Sequence, residues 1–182
     1  MFEPADGPLP AKIRSFTPAD QLACNRLYHE GLISGVLSDN DTGVDLDDIH
    51  RAYMRPGSHF WIAEAPGGEI AGMIGLQHHE ENTAEIRRLR VASNHRRKGI
   101  GSALVETALR YCEDHNYLKV TLDTFMEREP AIKLFEKFRF RHFRTRNVAG
   151  KDLMYFLLDL YAGEHRQQHQ SGQSGESPAQ HG

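Results

Sequence analysis

The chain has 182 residues, 39% of them hydrophobic, enough for one sizeable core and one domain rather than two. A formal charge of −3 gives no global pull toward nucleic acid or an anionic membrane, and no run approaches the roughly 18 apolar residues that a membrane span needs. The two cysteines, Cys24 and Cys112, are too far apart for metal-ligand spacing and too few for a disulfide framework.

Residues 1–10 are acidic and Pro-rich, the opposite of a signal peptide's basic-then-apolar pattern, and the expectation is a soluble, cytoplasmic protein. Residues 162–182 are Gln, His, Ser and Gly with almost nothing apolar, a tail that cannot offset the entropy of ordering. Its histidines are irregularly spaced and read as solvated, so no metal is expected. The folded body is expected over residues 11–161.

Within that body Lys12–Phe16 reads as a short strand. Thr17-Pro18 follows as an N-cap with proline at the first helical position, opening a helix to about Gly31. A loop rich in Asp and Gly (Ser38–Gly43) leads to a second helix near Asp45–Met54. Phe60–Glu64 and Ile70–Gln77 are strands joined by the turn Pro66-Gly67-Gly68, and Glu81-Asn82-Thr83 turns the chain again into the strand Ala84–Ala92. The period then changes. Ile100, Ala103, Leu104, Thr107, Ala108, Tyr111 and Cys112 recur at helical spacing, which makes Cys112 a small core residue. Leu118, Val120 and Leu122 alternate as a strand, and Pro130 opens a helix carrying Ala131, Leu134, Phe135 and Phe138 on one face. Two strands near Arg139–Arg146 and Leu153–Leu160 close the body around Ala149-Gly150. The order β-α-α-β-β-β-α-β-α-β-β predicts an α/β protein of the α+β type. Its central sheet is mixed and mostly antiparallel, with one βαβ crossover at the centre.

The chemistry-bearing segment is the joint before the long helix, Arg96-Arg97-Lys98-Gly99-Ile100-Gly101-Ser102. The first N–H groups of a helix have no intrahelical partner, and with the helix dipole they favour an anion. Gly99 and Gly101 clear side chains from the backbone, while Arg96, Arg97 and Lys98 add charge suited to phosphate oxygens. A diphosphate-bearing ligand suits this site better than other small anions. The basic residues precede the glycines, unlike a Walker loop, and three antiparallel strands come first, unlike a dinucleotide fold.

Arg96-x-x-Gly99-x-Gly101 after Ile86-Arg87-Arg88-Leu89-Arg90-Val91 resembles the acetyl-CoA signature of the GNAT superfamily of N-acetyltransferases, and residues 131–140 resemble that family's penultimate helix and next strand. The resemblance covers about residues 12–160. It implies a GNAT acyl-CoA N-acyltransferase fold whose fourth and fifth strands splay apart, and acetyl-CoA as co-substrate. Its pantetheine arm would lie against strand four near Leu89, Arg90 and Val91, its diphosphate on the N–H groups of Arg97 to Ser102, and Phe135 beside the coenzyme. It also implies Glu85 as general base, at the position where some members place a glutamate. Three positions depart from the family pattern. Phe135 stands where many members have a proton-donating tyrosine, Arg139 where a glycine is common, and Arg128 where an asparagine is frequent. A thiol is a tolerable leaving group without a strong acid, so the missing tyrosine need not abolish transfer.

The histidines at the end of strand three, His78 and His79, are adjacent and point to opposite faces, so at most one faces a cleft. The acceptor is expected to be an amine. Glu30, Asp39, Asp41, Asp45, Asp47 and Asp48 would favour a cationic one, unless they are helix caps and surface acids. Arg87, Arg88 and Arg90 would instead hold the carboxylate of an amino acid or another small molecule. Acetylation of a protein lysine or N-terminal amine, and a non-catalytic acyl-CoA-binding module, are the alternatives. Nucleic acid is excluded as partner, because Arg87–Lys98 spans a strand and a helix start with no aromatic platform. The sequence is compatible with a homodimer and silent on oligomeric state.

Overall fold

The computed structural model describes residues 10–32 and 41–161. The terminal segment 1–9, the tail 162–182 and the part of the acidic loop that holds Asp39 lie outside the described residues. Seven strands form one sheet: β1 (Lys12–Ser15), β2 (His59–Glu64), β3 (Ile70–Glu80), β4 (Thr83–Val91), β5 (Lys119–Phe125), β6 (Arg141–Val148) and β7 (Lys151–Asp159), in the spatial order β1-β2-β3-β4-β5-β7-β6. Every pairing is antiparallel except β4 with β5. The helices are α1 (Gln21–Glu30), α2 (Ile49–Tyr53), α3 (Ile100–Asp114) and α4 (Glu129–Lys137).

Local chemistry explains the boundaries. Asp20, in the capping box with Thr17, holds the 3-10 turn Pro18–Asp20 that runs into α1. The single helix expected over Asp45–Met54 is instead a 3-10 turn, Val44–Leu46, followed by α2. The break arises because Asp48 turns its carboxylate onto the Arg51 N–H, at 2.9 Å, and starts a new helix there. In the final hairpin the second strand, β7, takes the inner place beside β5. β7 buries Leu153, Phe156 and Leu158, whereas β6 (RHFRTRNV) is almost wholly exposed. The charged strand therefore lies at the edge, where its arginines discourage strand addition.

Each face of the sheet has its own core. Ile74, Leu76, Ala84, Ile86, Val120, Leu122 and Phe156 meet Ile100, Leu104, Ala108 and Cys112 of α3, with Phe135 of α4. On the other face Phe60, Ile62 and Met73 meet Cys24, Leu27 and Tyr28 of α1, and Ile49 and Tyr53 of α2. Burial pushes both thiols, Cys24 and Cys112, up to about 12, as befits small core residues. Helices α1 and α2 cover only the β2–β4 half of their face, and no described helix is long and apolar enough to cross a membrane.

Gly75 of β3 makes the α2 contact possible, since a Cβ there would lie 2.6 Å from Tyr53 Cε1 and 3.1 Å from Phe60 Cδ2. Both rings are fully buried, where close packing leaves little room to yield. Gly75→Ala is expected to lower unfolding stability by about 1–3 kcal/mol, the usual range for an overpacked core, as read from urea denaturation midpoints.

Candidate active site

Strands β4 and β5 are hydrogen-bonded in parallel at only three positions, Thr83↔Lys119, Ala84↔Val120 and Glu85↔Thr121. Beyond Glu85, β4 continues to Val91 and β5 to Phe125 without further pairing, so the strands part in a wedge. The cause lies in β4 itself. Ile86 and Leu89 both face the α3 core although they are three residues apart, because a β-bulge opposite Ile74 absorbs the extra residue. Arg88 sits in that bulge in the left-handed conformation, at φ 59°. The bulge leaves Leu89 and Val91 on the α3 side and turns Arg90 toward α1. The backbone of Arg90 and Val91 pairs with β3 on one edge and leaves the edge toward β5 open.

The chain leaves β4 through the turn Ser93–His95 and reaches α3 through two left-handed residues, Arg97 (φ 60°) and Gly99 (φ 80°). No side chain caps this helix. Ala103 N–H to the Gly99 carbonyl, at 3.0 Å, is the first bond along it, so the N–H groups of Ile100, Gly101 and Ser102 point out of its start. Arg96, Arg97 and Lys98 are exposed around that end, held locally by Arg96 Nε donating to the Val91 carbonyl (3.3 Å) and Lys98 Nζ to the Asn94 carbonyl (3.0 Å). Ile100 is buried in the core, so only its backbone is presented at the helix start. A Cβ on Gly101 would lie 3.2 Å from Leu134 Cδ2, so this glycine lets α4 pack against the α3 start. Phe135, expected beside the coenzyme, is 4% exposed with its ring 5.8 Å from Phe140 and 6.5 Å from Phe156. Its side chain belongs to the core and not to the open wedge.

On the α1 side, a cavity of about 490 Å³ opens along β4, β5 and β7, where no described helix covers the sheet. Glu85, Thr121, Asp123, Tyr155 and His79 line it. Of the two adjacent histidines, His79 faces this cavity, while His78 turns away and meets the Tyr117 hydroxyl at 3.0 Å. Glu85 lies 3.7 Å from Arg87 on the same strand. Asp123 is the residue that sequence reasoning missed. Desolvation in the cleft and then the charge of Glu85 push its carboxyl above the ordinary range although the side chain stays exposed, and the two carboxylates line the same cavity from neighbouring strands. The alternation of Val120 and Leu122 already placed Asp123 on the opposite face, but only the sheet order, which pairs Glu85 with Thr121, brings it to the same cavity as Glu85.

The acids between α1 and α2 do not form a free anionic wall. Asp41 and Asp45 both close on Arg88, which donates to Asp45 Oδ2 at 2.8 Å, and Tyr53 donates to the same carboxylate. Burial alone would raise Asp45, but hydrogen bonds from Arg88 and Tyr53 outweigh it and hold the carboxyl below its ordinary value. Asp48 caps α2, and Glu30 and Asp47 are exposed. Arg88 and Arg90 lie 5.1 and 5.6 Å from the centre of the Tyr28 ring. Arg128, just before α4, donates to the Gly31 carbonyl at 2.6 Å. Among the described residues no group of His, Cys, Asp or Glu is placed to hold a metal.

Residues 25–140 fit the model of the acetyltransferase (GNAT) family. The chain belongs to the GNAT family. N-acetylaspartate synthetase of Rattus norvegicus is 37% identical over 126 residues, 69% of this chain and 42% of that protein. N-acetyltransferase 8 of the same organism is 35% identical over 123 residues, 64% of this chain and 54% of that one. The chain thus spans about half the length of these curated relatives. Among solved structures, a GNAT-family acetyltransferase from Staphylococcus aureus Mu50 superposes with a TM-score of 0.73 at 19% identity, over 82% of this chain and 99% of that one. The GNAT fold accounts for the mixed sheet, the single crossover and the parting of β4 from β5.

The raised carboxyl of Asp123 sets a pH-dependent penalty. Folding favours the protonated form, so stability is greatest below the unfolded carboxyl's range and falls as pH rises through the higher folded value. Asp123→Asn should raise the melting temperature slightly at neutral pH, because Asp123 is exposed and solvent screens its charge, with the gap over wild type closing toward roughly pH 3.5. Thermal unfolding across that range checks it, and a gap that widens as pH falls would contradict the assignment.

Proposed function

We propose that this chain transfers the acetyl group of acetyl-CoA to the primary amine of a small molecule or amino acid, by direct attack in a ternary complex. The parting of β4 from β5 beside the start of α3 carries this reading. An unpaired strand edge accepts an amide-bearing arm much as it would accept a strand, which suits pantetheine along Leu89, Arg90 and Val91. The diphosphate then falls to the N–H groups of Gly99 to Ser102, with Arg96, Arg97 and Lys98 around it. The family membership and the names of the relatives support the same chemistry.

In the proposed reaction the neutral amine nitrogen attacks the thioester carbonyl carbon, and the tetrahedral intermediate collapses with cleavage of the C–S bond. Glu85, on the open face of β4 and lining the cavity, takes a proton from the amine directly or through water. The thiolate leaves without a tyrosine acid and acquires its proton from solvent, since Phe135 has none to give. A thiol pKa near 8.5 makes the unassisted departure affordable at neutral pH. Asp123, beside Glu85, adds negative charge that draws an ammonium into the site.

Acetyl-CoA should raise the melting temperature of the wild-type protein. Gly99→Val, which places a β-branched residue at φ 80°, should weaken coenzyme affinity by roughly tenfold or more. Titration calorimetry against coenzyme A tests this, and unchanged affinity would remove the phosphate site from the α3 start. Separately, Glu85→Gln should lower turnover by roughly 10²–10⁴-fold near neutral pH, where the amine is mostly protonated, and less at alkaline pH. A pH–rate profile parallel to that of wild type would take the base role from Glu85.

A further inference from the structure

Beyond the bulge, the α1 side of the wedge is basic. Arg88, Arg90 and Arg128 gather near Tyr28 and the end of α1, yet the carboxylates here are unevenly shared. Asp41 and Asp45 both bind Arg88. Among the described residues no carboxylate lies within ion-pair distance of Arg90 or Arg128. Each instead donates to a single backbone carbonyl, Arg90 Nη1 to Leu89 at 2.8 Å and Arg128 Nη2 to Gly31 at 2.6 Å. Arg90 Nε is buried and has no hydrogen-bond partner among the described residues.

A guanidinium has five N–H donors, and a buried cation without a counter-charge is unfavourable. The strain is visible in Arg90, which burial and then the charge of Arg128 pull down to about 10, and in Arg128, which burial also lowers. The Tyr28 ring faces offset only part of this. Two arginines with spare donors match a planar carboxylate, which accepts bidentate pairs. Arg90 projects to the side where Glu85 and Asp123 line the cavity, away from the Leu89 and Val91 side that packs toward α3. The charge of Asp41 is felt by Asp123 as well as by Arg90 and Arg128, so the acidic and basic parts of this face lie within electrostatic reach of one carboxylate.

We infer that Arg90 and Arg128 form a carboxylate subsite for the acceptor, so that the amine acetylated here carries its own carboxylate: an amino acid or other acidic amine, not a polyamine. The inference rests on the transfer reading above. In it, the ammonium meets the Glu85–Asp123 end and the carboxylate meets the arginine end. Arg128, which stands where the family pattern has asparagine, becomes a specificity-determining residue.

The test is thiol release from acetyl-CoA with α-amino acids, acidic ones included, against their amides and against putrescine. The expected result is a preference for the amino acid in kcat/KM over its amide. Arg90→Gln and Arg128→Asn should each reduce that ratio by roughly 10- to 100-fold, mainly through KM. The melting shift given by acetyl-CoA should be retained in both. Arg90→Lys serves if Arg90→Gln does not fold. Equal use of amides and putrescine, or a ratio unmoved in the variants, overturns the inference. A loss of coenzyme affinity in Arg128→Asn with the ratio unmoved would assign the arginines to the coenzyme and also overturn it. If no acceptor releases thiol although acetyl-CoA binds, the transfer reading fails, and succinate then decides the subsite alone. Stabilisation of wild type but not of Arg90→Gln by succinate upholds the carboxylate site, and no stabilisation of either rejects it.

Discussion

The architecture of the site depends on one backbone irregularity, the bulge of β4 at Arg88. A non-glycine residue at φ 59° in a central strand is an unfavourable conformation that persists only where its surroundings fix it. Here Asp41 and Asp45 grip the Arg88 guanidinium, and Tyr53 steadies Asp45 in turn. Three consequences follow from the geometry. β4 loses its pairing with β5 beyond Glu85, Leu89 and Val91 keep the α3 side, and Arg90 turns toward α1. A regular strand would have continued the parallel ladder and closed the wedge.

Charge is sorted around this wedge although the whole chain is nearly neutral. Cations surround the uncapped start of α3, the carboxylates Glu85 and Asp123 occupy the first part of the open face, and Arg90 and Arg128 occupy the far part. Arg90 and Arg128 are half-buried, so their charges act more strongly than they would on an open surface, whereas Arg96, Arg97 and Lys98 remain exposed. The ion pairs of Arg88 divide the acidic zone from the basic one. They also remove Asp41 and Asp45 from any role as a free anionic wall.

Phe135 illustrates how one side chain changes meaning with its surroundings. At a position where a hydroxyl would serve a leaving thiolate, the chain has a ring packed against Phe140 and Phe156. The ring joins α4 to the core under the sheet and helps fix the place of Leu134 against Gly101. Its contribution is therefore to hold the α3 start in position.

What the sequence determined by itself was whatever is written in local order. The period of α3, the alternation in β5, the glycine turn before the helix and the departures at Phe135 and Arg128 are all encoded within a few residues, and so is the uncapped, cation-ringed start of α3. Uninterrupted alternation through β4 would even have put Arg88 and Arg90 on the core side with Ala84 and Ile86, a conflict that hints at the bulge. Tertiary structure alone decided the rest. It placed β7 inside β6, because burial of Leu153, Phe156 and Leu158 outweighs chain order. It set Asp123 in the same cavity as Glu85, since neighbouring strands are far apart in sequence, and it gave Asp41 and Asp45 to Arg88 while leaving Arg90 and Arg128 without a carboxylate among the described residues. Which charge meets which is a matter of distance in space and of desolvation, and neither is carried by the local pattern of a chain.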